Sequence, residues 1–135
     1  MTNHIALPRG CLDSCIELLK SLDIKIHIDD KRNFGINISP IFLGQLTEEQ
    51  QKAACELLKY DTGILSATTG FGKTVIGAFV TAARKTNTLI IVHRKQLMEQ
   101  WVERLKTFLD ADQIGIIGGG KRKPTGIIDI AIIQS

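Results

Sequence analysis

The sequence has 135 residues, is 44% hydrophobic and carries a net charge of +3, which suits one globular domain with a core of its own. No uninterrupted apolar run approaches the ~18 residues of a membrane span, so a membrane partner is not expected. Cys11, Cys15 and Cys55 form an odd count without zinc-ligand spacing, and no basic-then-apolar leader opens the chain, so reduced thiols and a cytoplasmic location are expected.

In chain order, Leu7-Pro8-Arg9-Gly10 reads as a turn. Leu12, Cys15, Ile16, Leu19 and Leu22 recur at helical spacing. Ile24, Ile26 and Ile28 alternate with Lys25 and His27 and predict a strand. A polar turn at 29–33 and a second short strand at 35–39 would complete a hairpin. Residues 1–45 are therefore expected to form a small α+β segment with a connector. Its five basic and five acidic side chains balance. Residues 46–135 hold twelve basic against nine acidic side chains.

Thr47-Glu48-Glu49-Gln50 fits a capping box opening a helix that ends near Tyr60-Asp61-Thr62-Gly63. Residues 63–66 predict a short strand. Ala67-Thr68-Thr69-Gly70-Phe71-Gly72-Lys73-Thr74 follows, and an amphipathic helix begins after it. Strand, glycine-bearing loop, Gly-Lys-Thr and helix are the order of a phosphate-binding loop. Gly70 and Gly72 let the backbone curl inward with its N–H groups. The helix start adds unpaired N–H groups and a partial positive charge. Lys73 supplies a mobile cation for the terminal phosphates, and Thr74 a hydroxyl for Mg²⁺.

Residues 88–92 are a continuous apolar run, expected to be a parallel strand covered on both faces. A helix is predicted from about 95 to 109, then a strand at 114–117. A loop is expected at 118–124, holding Lys121-Arg122-Lys123, and a last apolar strand at 127–133. That basic run is either a solvated loop tip or a contact for nucleic-acid phosphates. The alternation implies a doubly wound α/β fold with ligands beyond the carboxyl ends of its strands. Gln50 is either a capping residue alone or also a reader of adenine, whose N6/N7 edge its amide matches. His93-Arg94-Lys95 sits at a strand end, where phosphate contact or a solvated helix start are both open readings.

These residues carry a resemblance. Gln50, residues 67–74, Ile91 to Leu97 with Gln100 and Trp101, Ile114 to Gly119, and Ile130 to Ser135 resemble, in order and spacing, successive motifs of superfamily 2 helicases of the DEAD/DEAH-like group. The match is nearest to restriction-endonuclease motor subunits and related phage and repair helicases. It implies a partial RecA-like parallel sheet with flanking helices over 46–135, and ATP with Mg²⁺ as cofactors. It implies that Gln50, Thr69, Gly70, Phe71, Gly72, Lys73 and Thr74 hold the nucleotide, with Thr74 on the metal. Arg94, Gln100, Gly118, Gly119, Gln134 and Ser135 would meet the nucleic-acid backbone, DNA in this subgroup. Thr68, Phe71 and Ile132 depart from residues common in the family.

The Asp-Glu motif that organises Mg²⁺ and the attacking water in such helicases is absent from these residues, as is a second RecA-like lobe. The expectation is an ATP-binding part of a DNA helicase or translocase that is nearly inactive in hydrolysis alone, with a sheet edge prone to self-association. A nucleotide-binding scaffold module and a phosphate-loop kinase are the alternative readings.

Overall fold

The computed structural model describes residues 4–111 and 114–134, the side chain of Arg9 excepted. The chain divides into two compact units, Met1–Asn33 and Phe34–Ser135.

In the first unit a 3-10 turn at Arg9–Cys11 leads into α1 (Leu12–Ser21). Cys15, Ile16 and Leu19 form its half-buried stripe. Asp23 adopts a left-handed conformation with φ 58° and stops the helix. The Ile24 N–H then returns to the Leu19 carbonyl at 3.0 Å. Residues 24–28, expected as a strand, form none. Alternation alone does not make a strand without a ladder partner. The following turn closes on itself: the Arg32 backbone N–H donates to the Asp30 carboxylate at 3.0 Å, and its guanidinium pairs with the same group.

The second expected hairpin strand is held within the second unit. Asn37 bridges Thr86, the Ile38 N–H donates to the Lys85 carbonyl, and the Asn87 N–H donates to the Ile36 carbonyl. Asn87 also accepts from the Ile36 N–H through Oδ1. The connector that follows is pinned too. Phe42 bridges Leu109 and sets its ring edge-on to Phe79 at 5.3 Å and stacked on Phe108 at 6.3 Å.

α2 (Glu48–Leu58) begins on the expected capping box. The Thr47 hydroxyl accepts from the Gln50 N–H, and the Gln50 Oε1 accepts from the Thr47 N–H at 3.0 Å. Its far end is held by Arg84, which donates to the carbonyls of Leu57 and Tyr60. Residues 63–66, expected as a strand, are not one, and Ile64 is 94% exposed. Among the described residues no neighbouring strand meets their backbone.

α3 (Lys73–Arg84), β1 (Thr88–Val92), α4 (Lys95–Phe108), β2 (Gly115–Gly118), β3 (Lys121–Lys123) and β4 (Ile128–Ile132) complete the unit. The sheet order is β1-β4-β2-β3, with β1, β4 and β2 parallel and β3 antiparallel to β2. The expected loop at 118–124 is therefore a hairpin. Gly119 and Gly120 have φ of 61° and 84°, the double positive φ that a two-residue hairpin turn requires.

Ala78 and Ala82 of α3, Met98 and Leu105 of α4, Leu109, and the sheet residues Val92, Ile128 and Ile130 build one core. Full burial of a side chain such as Leu105 or Ile130 contributes about 1.5–3 kcal/mol. Gly77 lets the two helices close: a Cβ there would lie 2.6 Å from the Trp101 ring. The expected cover on both faces of β1 is not found among the described residues. Thr88, Ile90 and Val92 alternate with Leu89 and Ile91, which are 55% and 58% exposed. Both α3 and α4 feed the core on the side of Val92 and Ile130. No described helix is long and apolar enough to cross a membrane.

Candidate nucleotide loop and nucleic-acid edge

The loop before α3 folds as its glycines require. Gly70 and Gly72 have φ of 85° and 87°, in the left-handed region open to glycine. The Phe71 N–H turns back to the Thr68 carbonyl at 3.4 Å. Gly72 is the N-cap of α3, so Lys73 and Thr74 occupy its first turn. Their backbone N–H groups have no intrahelical acceptor by helix geometry. Lys73 is exposed, and its ammonium donates to the carbonyls of Ala67 at 2.9 Å and Thr68 at 2.8 Å. The cation thus spans the mouth of the curl.

Gln50 reaches the same loop. Its Nε2 donates to the Phe71 carbonyl at 2.8 Å while its Oε1 closes the capping box. A Cβ on Gly72 would stand 2.5 Å from that Nε2. Gly72 therefore answers two demands, a left-handed backbone and the approach of Gln50. Gly72→Ala is expected to weaken nucleotide affinity at least tenfold and to destabilise the fold by about 1–2 kcal/mol. Nucleotide titration and thermal melting check the two effects separately.

This donor set fits a phosphate chain: an ammonium, helix-start N–H groups and the half-buried Thr74 side chain. Among the described residues no group of three or more His, Cys, Asp or Glu is placed to hold a metal ion. The Thr74 hydroxyl, on the first turn of α3, is the group here that would meet a phosphate-bound Mg²⁺. Thr69 and Phe71 enter through their backbone turn. Gln50 keeps one N–H of its amide and part of its acceptor capacity for a base.

Four of the predicted nucleic-acid residues, Arg94, Gly118, Gly119 and Gln134, lie at the carboxyl end of the parallel strands. Val92 pairs with Ile132, Ile117 with Ala131, and the Ile133 N–H donates to the Val92 carbonyl at 2.9 Å. The three parallel strands therefore end together, with Gly118 the last residue of β2 and Arg94, Gly119 and Gln134 just beyond. Arg94 is the exposed N-cap of α4. Gln100 and Gly119 line one open cleft between α4 and the β2–β3 hairpin, while Gly118 and Gly119 line a second depression beside it. Arg94 and Gln134 line neither. Ser135 lies outside the described residues.

Asp129 takes no part in this edge. It is buried, and its carboxylate accepts from the Thr125 N–H at 2.7 Å, the Thr125 hydroxyl at 2.7 Å and the Gly126 N–H at 2.9 Å. Burial pushes its carboxyl up, but these three donors outweigh burial and hold it below the usual carboxylate range. Three features lay beyond the local sequence reading. The Gln50 bond to Phe71 spans 21 positions, Lys95 lies against Gly119, and Asp129 closes a turn. For Asp129 a signal existed, since an acidic residue inside an apolar strand needs buried donors.

Residues 43–135 match the family model described as type III restriction enzyme, res subunit. The chain is 34% identical over 110 residues to "DNA 3'-5' translocase XPB2" of Sulfurisphaera tokodaii, covering 82% of this chain and 24% of that protein. It is 29% identical to "Putative helicase 109L" of Invertebrate iridescent virus 3, covering 84% of this chain and 36% of that one. With "Probable helicase D10" of Escherichia phage T5 the identity is 29%, over 89% of this chain and 26% of the relative. The chain thus spans about a quarter to a third of the curated relatives it matches. By the loop, the sheet edge and this match over most of its length, the chain belongs to the type III restriction enzyme res subunit family, a helicase-like group of superfamily 2.

Proposed function

We propose that this chain binds ATP with Mg²⁺ and forms part of an ATP-dependent DNA translocase or helicase. Residues 46–135 would be part of its first RecA-like domain, and residues 1–45 a small segment preceding it. The observation that carries the reading is the phosphate loop braced by Gln50. A side chain suited to adenine is tied to the Phe71 carbonyl beside Lys73 and Thr74. Lys73 would leave the carbonyls of Ala67 and Thr68 for the terminal phosphates. The α3 N-terminus would take their remaining charge. Arg94, Gln100, Gly118, Gly119, Gln134 and Ser135 would meet the phosphates of a strand laid along the sheet edge, giving sequence-independent, salt-sensitive binding. DNA is preferred over RNA because the relative at 34% identity is named a DNA translocase, whereas the one named an RNA helicase is 27% identical over 67% of this chain.

The chain itself is expected to hydrolyse ATP negligibly. Phosphoryl transfer needs a group that positions the attacking water. Among the described residues the one buried carboxylate is Asp129, and its oxygens are engaged by Thr125 and Gly126. Titration with a fluorescent ATP analogue tests the binding reading. Mg²⁺-dependent saturation, displaced by ATP and poorly by GTP, is the expected result; displacement by both equally would remove the adenine role of Gln50. Robust turnover lost on Lys73→Ala would overturn the inactivity. The open Leu89 and Ile91 face would drive self-association; a clean monomer at high concentration in light scattering would count against that part.

A further inference from the structure

The Lys121-Arg122-Lys123 run, by sequence either a solvated loop tip or a phosphate contact, has no part in the function proposed above. In the fold it is an edge strand, and a strand sends alternate side chains to opposite faces. Its register sets Lys123 opposite Ile116, Arg122 opposite Ile117 and Lys121 opposite Gly118. Ile116 packs toward the core beneath α4 and lines the cleft between α4 and the hairpin. Lys121 lines both that cleft and the depression beside it, whereas Arg122 lines the depression with Ile117 and does not line the cleft. Three consecutive cations are thus divided by the pleat. Lys121 and Lys123 lie on the α4 side of the sheet, and Arg122 on the other.

Across the cleft stands Lys95, on the first turn of α4. A Cβ on Gly119 would lie 3.5 Å from both Cγ and Cδ of Lys95 and 3.5 Å from the Met98 methyl. The Lys95 stem therefore rests on the hairpin turn, and its ammonium is 3.9 Å from Glu99 in a loose, exposed pair. Such a pair holds little and yields readily to a phosphate. The other carboxylate of the cleft, Glu103, is eight residues along α4, about 12 Å from Lys95 at the helical rise. Of the three lysines lining the cleft, Lys106 lies beyond Glu103, and Lys95 and Lys121 stand together at the hairpin end, next to the α4 N-terminus.

The geometry points to Lys95 and Lys121 as a two-sided phosphate clamp over Gly119 for a single nucleic-acid strand, with Arg122 excluded from it by the pleat. This rests on the nucleic-acid reading above and adds contacts to it. Gly119 has no side chain to keep a backbone phosphate away from the turn. The lysines supply point charges from both walls, without reading bases.

The test is salt-dependent binding of a labelled oligothymidylate to the chain and to Lys121→Gln, Lys95→Gln and Arg122→Gln. All three side chains are exposed, so melting should be unchanged. Lys121→Gln and Lys95→Gln should each weaken binding about fivefold at low salt and flatten the salt slope by about 0.7, the value for one single-strand phosphate. Arg122→Gln, an equal loss of charge, should stay within about twofold with an unchanged slope. An equal effect of all three variants, or an unchanged slope in Lys121→Gln, overturns the clamp while leaving nucleic-acid binding intact. Absence of salt-dependent binding by the unmodified chain overturns the nucleic-acid reading and the clamp with it.

Discussion

Lys73→Ala is expected to lower the affinity for Mg·ATP by roughly a hundredfold, about 3 kcal/mol, with the fold unchanged. The magnitude follows from removing a full cation from a site otherwise built of backbone dipoles. Charge-assisted hydrogen bonds contribute about 1.5–3 kcal/mol each. Folding is spared because the side chain is exposed and touches only the carbonyls of Ala67 and Thr68. Both carbonyls would turn to water in the variant. Arginine should not restore the affinity, because its planar fork is bulkier than a point ammonium and the curl holds the cation between two carbonyls. Calorimetric titration beside a thermal melt separates the two effects. A variant with unaltered affinity would remove Lys73 from the phosphate site.

Asp129→Ala should destabilise the chain by about 3 kcal/mol, a large share of the ~5–15 kcal/mol typical of a domain. It strands the N–H groups of Thr125 and Gly126, both directed at the carboxylate. The paired residue of the neighbouring strand has no side chain to fill the void. Gly115 pairs with Asp129, and even a Cβ there would fall 1.7 Å from its Oδ1. The melting temperature should fall by about 10 °C. The pH dependence has a definite sign. The folded carboxyl titrates below its unfolded value of about 3.9, so its stabilisation is complete above that pH. It is lost as pH falls through the depressed folded value. The stability gap to Asp129→Asn should therefore narrow only below about pH 4. Denaturant melts across pH 3–7 measure it, and a gap independent of pH would contradict a charged Asp129.

Features fixed by near neighbours were legible. The Thr47–Gln50 box needs only four residues, and it stands where the pattern put it. The α4 stripe of Met98, Trp101, Val102 and Leu105 keeps helical period because one face meets the core. Strand pairing was harder to read. Ile36 to Ile38 found its partner near Thr86, about fifty positions on, and nothing in either segment names the other. The Gly119-Gly120 turn did carry a hairpin signal, yet its second strand is all cations rather than alternating. In the site, Gly70, Gly72, Lys73 and Thr74 follow one local motif and sit together. The companions Lys95 and Lys121 were visible only as charge, because which face each occupies depends on a register set by β2. The strand expected at 63–66 has the apolar content of one, but a ladder is a property of two segments.

The amide of Gln50 ends one helix and grips one loop at once. These two tasks share a single rotamer, so neither can be given up alone. Opening the first turn of α2 frees the amide, and the Phe71 carbonyl then loses its donor. Loosening the loop likewise leaves the helix start with one anchor fewer. In hydrogen-exchange terms, the Thr47 and Gln50 amides should open with the phosphate loop rather than fray independently. Occupancy of the loop by a nucleotide would then slow exchange at a helix terminus 21 positions earlier in the chain.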